Sequence, residues 1–170
     1  MSNLTKEEYI ARQDMIHNPI IEKYGLIIHY LLADVFNISA MEKICENLGY
    51  TTVRVKYEMD KFSFYSQLYF GKKLIGTISN QGLPSIELYK RNKKHAAIIS
   101  KDDKFITPIK GIHRVLDWHE VQGKYHILAN NEIVLHFLPV VIDEEMITEF
   151  LNKTGLSKDV KHLKSLDKMK

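Results

Sequence analysis

The chain of 170 residues has a single cysteine, Cys45. It can form no intramolecular disulfide and build no cysteine-based metal site. Cys45 falls inside an apolar helical pattern, which reads as a small buried hydrophobe. No apolar run approaches the roughly 18 residues that a membrane span needs. The opening MSNLTKEEYIARQ is too polar for a secretory signal. A cytoplasmic protein with no membrane partner is the expectation. The chain also lacks a phosphate-cradling glycine loop, a Gly-x-Ser-x-Gly turn and a catalytic-cysteine pattern. No cofactor is expected. Internal repeats and low-complexity linkers are absent as well.

What is present suits a globular domain. The hydrophobic fraction is 45%, enough to bury a core in one domain of this length. The formal charge is +3, which is only mildly basic. The excess is placed unevenly: Lys72 and Lys73, then Lys90, Arg91, Lys93 and Lys94, then the lysines of residues 158–170. The heavy use of Lys, Ile and Asn is that of an AT-rich genome.

Thr5 and Glu8 form a capping box for a helix over residues 6–16. Asn18 and Pro19 restart the chain as cap and first helical residue. Residues 19–36 carry a wide apolar stripe through Ile20, Tyr24, Ile27, Leu31 and Val35, which predicts a core helix; a homodimer interface is the other use of such a stripe. Asn37 to Ser39 should break this helix. Ser39 then caps another over residues 40–48, which Gly49 ends.

Residues 41–60 admit two readings. In one they form a helix-turn-helix of winged-helix type, with residues 51–60 lying in a DNA groove. In the other, residues 51–60 are a strand, since Thr51, Val53, Val55, Tyr57 and Met59 alternate with polar neighbours. The strand reading prevails, because Val53, Val55, Thr51 and Thr52 are poor helix formers. A turn at Asp60 and Lys61 then pairs residues 51–60 with 62–70. Val53 falls opposite Leu68 and Val55 opposite Ser66 on an apolar face. Arg54 and Lys56 share the outer face with Tyr65, Gln67 and Tyr69.

A three-residue turn over Gly71 to Lys73 sets Leu74 opposite Phe70 and Ile78 opposite Ser66. Residues 74–79, 85–90 and 96–100 are further strands, and 105–109 a short one. Residues 111–121 read as a helix or helical turn. Residues 124–129 and 132–138 make a hairpin around Asn130 and Asn131, and residues 143–152 a final amphipathic helix.

The predicted architecture is therefore a single α+β domain over residues 1–156. A helical unit (1–49) packs on an antiparallel meander sheet (50–156), with a late β-hairpin and a C-terminal helix. Residues 157–170 read as a basic tail.

Two constellations invite chemistry. His113, Asp117 and Glu120 would share one helical face, a pattern able to hold a metal or do acid–base work. A solvated polar face is the commoner outcome, and the chain is read as non-catalytic. The segment Ile86 to Lys90 places its lysine one residue late for the Asp…(Asp/Glu)-x-Lys signature of a nuclease core. In the register above, His126 and His136 diverge.

The remaining feature is a surface. Arg54, Lys56, Tyr65, Tyr69, Lys72, Lys73, Lys90, Arg91, Lys93 and Lys94 combine cations with tyrosines, as a nucleic-acid backbone and unstacked bases would require. A small nucleic-acid-binding protein is the first expectation, for DNA or RNA. The alternative is a modulator or inhibitor, of the kind mobile genetic elements encode, that binds a host protein.

Overall fold

The computed structural model describes residues 6–57, 63–80, 84–89, 92–102, 104–106, 118–122, 125–128 and 132–169. Thr5, the turn at Asp60 and Lys61, Lys90, Arg91, His113, Asp117 and the turn at Asn130 and Asn131 lie outside the described residues.

The fold is α+β. Helices α1 (Lys6–Tyr24) and α2 (Leu26–Asn47) precede the strands β1 (Thr51–Lys56), β2 (Phe64–Phe70), β3 (Lys73–Ser79) and β4 (Ser85–Leu88). Helix α3 (Lys93–Ile99) leads to β5 (Phe105–Ile106), β6 (Trp118–Gln122), β7 (Tyr125–Leu128) and β8 (Ile133–Phe137). Helices α4 (Glu144–Thr154) and α5 (Val160–Ser165) close the chain. The sheet runs β1-β2-β3-β4-β8-β7-β6, with β5 paired to β8, and every pairing is antiparallel. Among the described residues, no helix is long and apolar enough to cross a membrane.

The helical unit is simpler than its sequence suggests. Pro19 sits inside α1 and does not restart it. The break comes at Gly25, with φ 92° and ψ 171°, a backbone region essentially confined to glycine. A Cβ there would stand 3.0 Å from the Lys164 Cα and 3.0 Å from the Asp167 Oδ2. Asn37 to Ser39 does not break α2 either. The Asn37 side chain is buried, and its Oδ1 accepts the Val140 N–H at 2.8 Å. A side chain committed to a distant donor does not compete for its own backbone, so the helix continues. At the end of α2, Gly49 takes φ 96° as the chain turns into the sheet.

Two apolar clusters hold the layers together. In the larger, Ile38, Met41 and Cys45 of α2 and Ala96 and Ile99 of α3 meet Leu68, Ile78, Ile86, Leu88, Leu135 and Phe137 of the sheet. The smaller joins Ile20, Tyr24, Ile28 and Leu32 to Ile147, Leu151 and Leu163. Leu163 lies in residues 157–170, which sequence composition marks as a basic tail. Residues 157–169 are helical, and the segment is tied to the α1–α2 corner: Asp167 Oδ2 accepts the Leu26 N–H at 2.9 Å, and Lys164 Nζ donates to the Glu22 carbonyl at 2.6 Å. Helix α4, expected over residues 143–152, starts one residue later: Asp143 caps it by accepting the Met146 N–H at 2.9 Å, and it ends at Gly155 with φ 76°.

Residues 51–56 are a strand, so no recognition helix occupies that part of the chain. Its pairing is one residue off the expected register. Thr51 faces Tyr69, Val53 faces Gln67, Arg54 faces Ser66 and Val55 faces Tyr65. A one-residue slip exchanges the two faces of a strand. Arg54 therefore lies on the helix side, and Val53 and Val55 lie on the other. The turn between β2 and β3 contains two residues, Gly71 and Lys72, with Phe70 opposite Lys73 and Tyr69 opposite Leu74. A bulge between Leu68 and Tyr69 shifts the ladder by one, so Ser66 still faces Ile78 as expected.

Two further elements differ in kind. Residues 96–100, read as a strand, belong to α3 and the turn after it. Alanine is the best helix former, and Ala96 and Ile99 are buried one turn apart. Residues 118–121 of the expected helical segment belong to β6. In the late hairpin the backbone pairs His126 with Val134 and not with Leu135, one residue off the expected register.

Candidate nucleic-acid interface

One end of the sheet gathers three turns of chain. Tyr50 and Thr51 follow α2 and open β1, the β2–β3 turn carries Gly71 and Lys72, and α3 starts just beyond β4. The antiparallel pairing of β3 with β4, Gly76 opposite Leu88, sets the start of α3 beside the start of β3. Tyr89 N–H donates to the Ile75 carbonyl at 2.9 Å, and Asn92 Nδ2 donates to the Tyr89 carbonyl, fixing that junction.

Three rings meet here. Phe70 and His95 have centroids 4.7 Å apart, Tyr50 and His95 5.4 Å, and Tyr50 and Phe70 5.8 Å. The Tyr50 hydroxyl and His95 Nδ1 are hydrogen-bonded at 2.8 Å. Phe70 sits on the helix side of β2 but beyond the end of α2, so 52% of it stays exposed. Burial, then Lys94 and Lys73, hold the His95 imidazole below its usual pKa. Both basic segments thus act on one ring. Lys72, Lys73, Lys93 and Lys94 are all exposed. The chemistry is that of a solvated cationic rim around an accessible aromatic face.

The other expected site residues are placed differently. Arg54 is committed to the fold. Its Nη2 is 2.8 Å from Glu42 Oε1 and its Nε 3.1 Å from Glu42 Oε2, and Nη2 also donates to Ser39 Oγ at 2.8 Å. Its guanidinium lies 4.7 Å from the Phe64 ring centroid. Ser66 adds a hydroxyl to the same carboxylate. The bond to Glu42 raises the Arg54 pKa further. Lys56 is exposed and pairs with Phe64 at the far end of β1.

Tyr65 and Tyr69 lie on the sheet face turned away from the helices, opposite Val55 and Thr51. There Tyr57 and Tyr65 have centroids 5.2 Å apart, and the Tyr69 hydroxyl donates to Gln67 Oε1 at 3.2 Å. Neither residue joins the lysine cluster. The structure therefore brings together Lys72, Lys73, Lys93 and Lys94, and separates Arg54, Lys56, Tyr65 and Tyr69 from them.

Sequence reasoning missed Tyr50, Phe70 and His95. His95 was visible only as part of a basic run, because its segment reads as a loop into a strand. Phe70, just before a glycine turn, carried the one available signal: an aromatic at a hairpin tip.

The proposed acid–base constellation does not take its expected form, because Glu120 lies on β6, opposite Ile127, and not on a helix. Among the described residues, no group of three or more His, Cys, Asp or Glu is placed to hold a metal ion. Elsewhere on the sheet, burial and then the Glu87 carboxyl raise the pKa of Glu132. Compared with protein-family models, with curated proteins and with solved structures, the chain matches none of them.

Proposed function

We propose that the protein binds single-stranded nucleic acid at the end of the sheet formed by the β2–β3 turn and the start of α3. The observation that carries this reading is the Phe70–His95 contact, 4.7 Å between centroids, which draws Lys72 and Lys73 next to Lys93 and Lys94. Four exposed ammonium groups supply attraction to phosphates. An exposed ring among them supplies a surface for an unstacked base, and such stacking is sequence-tolerant because every base has a π-face. The test is fluorescence anisotropy of labelled oligonucleotides with Phe70→Ala and with paired charge reversals at Lys72/Lys73 and Lys93/Lys94. Each change should weaken binding while Lys56→Glu leaves it near the original value.

A second reading has its own observation. The one-residue slip of β1 brings Val53, Val55 and Tyr57 onto the face turned from the helices, beside Tyr65 and Tyr69, and Val53 is 46% exposed. Tyrosines with exposed aliphatic neighbours suit a protein partner, as a modulator or inhibitor of a host protein would need. A stoichiometric partner that survives nuclease treatment and is lost on Val53→Glu would favour this reading over the first.

A further inference from the structure

The sheet ends at β1. Among the described residues, β1 pairs with β2 and no strand lies on its other side. The Tyr57 N–H donates to the Ser63 carbonyl at 3.3 Å, so Tyr57 directs its backbone groups at β2. In an antiparallel pair that direction alternates along the strand. Val55, Val53 and Thr51 therefore also point at β2. The backbone groups of Thr52, Arg54 and Lys56 point outward, away from it.

Native edges are ordinarily protected by proline, a bulge or an outward charge. β1 contains no proline, and its pairing with β2 runs from Thr51 to Lys56 without a shift in register. The Arg54 guanidinium is turned back onto Glu42 and Ser39, so it does not guard the edge. That leaves Lys56, at the end of the strand.

The edge complements itself. Two antiparallel copies of β1, related by a two-fold axis perpendicular to the sheet, keep the helices of both copies on one side. Centring the axis on Arg54 sets Thr52 opposite Lys56 of the second copy and Arg54 opposite Arg54. Facing residues whose backbones point at each other exchange both bonds, so the outward groups of Thr52, Arg54 and Lys56 are all satisfied. Centring it on Val53 instead sets Lys56 opposite Tyr50, whose N–H is already given to the Cys45 carbonyl at 3.0 Å.

The side chains favour the Arg54-centred register. On the face turned from the helices, Val53, 46% exposed, meets Val55 of the second copy, a β-branched cross-strand pair. On the helix side, Lys56 meets Thr52, whose hydroxyl donates to the Glu46 carboxylate at 2.6 Å. Glu46 and Lys56 are both exposed, so opposite charges come together, twice by symmetry. The two Arg54 side chains each lie beside their own Glu42 carboxylate, which offsets their like charge.

We propose that β1 pairs with β1 of a second copy of this chain, joining two sheets into one about a two-fold axis at Arg54. The pairing consumes both β1 edges and so closes at two copies. It rests on neither functional reading above.

Sedimentation velocity of the full chain over a wide concentration range should show a monomer–dimer equilibrium and nothing larger. Hydrogen exchange followed by NMR should show the Thr52, Arg54 and Lys56 N–H groups slowing as dimer forms, with those of Val53 and Val55 changing less. Lys56→Pro removes an outward N–H and none of the β2 ladder, and should leave a folded chain, by circular dichroism, that stays monomeric. Lys56→Glu should weaken dimerisation about tenfold, because like charges replace opposite ones at both contacts. Adding Glu46→Lys restores the attraction and should bring the dissociation constant back to within about threefold of the original. A chain that is monomeric at every concentration, assembly beyond two copies, a dimer that Lys56→Pro leaves intact, exchange at Thr52, Arg54 and Lys56 that ignores concentration, or a charge swap that recovers nothing would each overturn the proposal.

Discussion

Arg54 of β1 lies across the carboxylate of Glu42 on α2, with Nη2 2.8 Å from Oε1. The Glu42 side chain is 9% exposed and the Arg54 side chain 50%. The pair ties the edge strand of the sheet to the helix above it. Removing the cation strands a buried carboxylate. Arg54→Met, which keeps the stem beside Phe64, should destabilise the protein by about 1–3 kcal/mol. Adding Glu42→Met should recover most of that loss, since replacing both partners of a buried pair by apolar groups is often neutral. Urea unfolding of the single and double variants measures both. If Arg54→Met left the midpoint unchanged, the pair would contribute nothing.

The corner between α1 and α2 depends on Gly25. Its backbone takes a glycine-only conformation, and the Lys164 Cα leaves no room for a side chain. Gly25→Ala should cost about 1–3 kcal/mol for the backbone alone, and more for displacing the C-terminal helical segment. Gly49 also has a positive φ, but among the described residues nothing lies within 4 Å of where its Cβ would stand. Gly49→Ala should therefore cost less. Thermal melts of the two variants should rank them in that order.

Two histidines at the α1–α2 interface should make stability pH-dependent. The rings of His17 and His29 stand 4.7 Å apart, and neither nitrogen of His29 has a hydrogen-bond partner among the described residues. Burial and then His17 push the His29 pKa down to about 4. Burial also lowers His17, against an opposing pull from Asp14. A histidine with a depressed folded pKa binds fewer protons folded than unfolded. Its stabilising contribution is complete above the unfolded value, roughly 6.5, and is lost as pH falls from there through about 4. The denaturation midpoint should fall over that window, and His29→Phe should flatten the fall. A wild-type midpoint constant from pH 7 to pH 4 would contradict this.

Much of the fold was legible because it rests on local pattern. The alternation of residues 51–57, the position of the turn at Gly71, and the final amphipathic helix over residues 143–152 were all readable from the sequence. What was not legible depends on groups distant in sequence. The register of β1 turns on Glu42, which needs a cation on the helix side of the sheet. As an edge strand, β1 gains less than a central strand from burying Val53 and Val55. The continuity of α2 turns on Val140, which takes up the Asn37 side chain. The lysine segments were visible individually, and their meeting at Phe70 required the β3–β4 pairing and the α3 helix. Arg54 was legible as a cation but not as one already paired.

The salt dependence of oligonucleotide binding tests the central claim most directly. Neutralising four phosphates of a single strand gives a log–log slope of roughly −3, at about −0.7 per phosphate. The wild-type chain should approach that value. Lys72→Gln with Lys73→Gln should reduce the slope by about 1.4. Phe70→Ala should leave the slope in place and cost about 1–3 kcal/mol of affinity. Binding that ignores salt, or that survives replacement of Lys72, Lys73, Lys93 and Lys94 unchanged, would contradict a nucleic-acid interface at this end of the sheet.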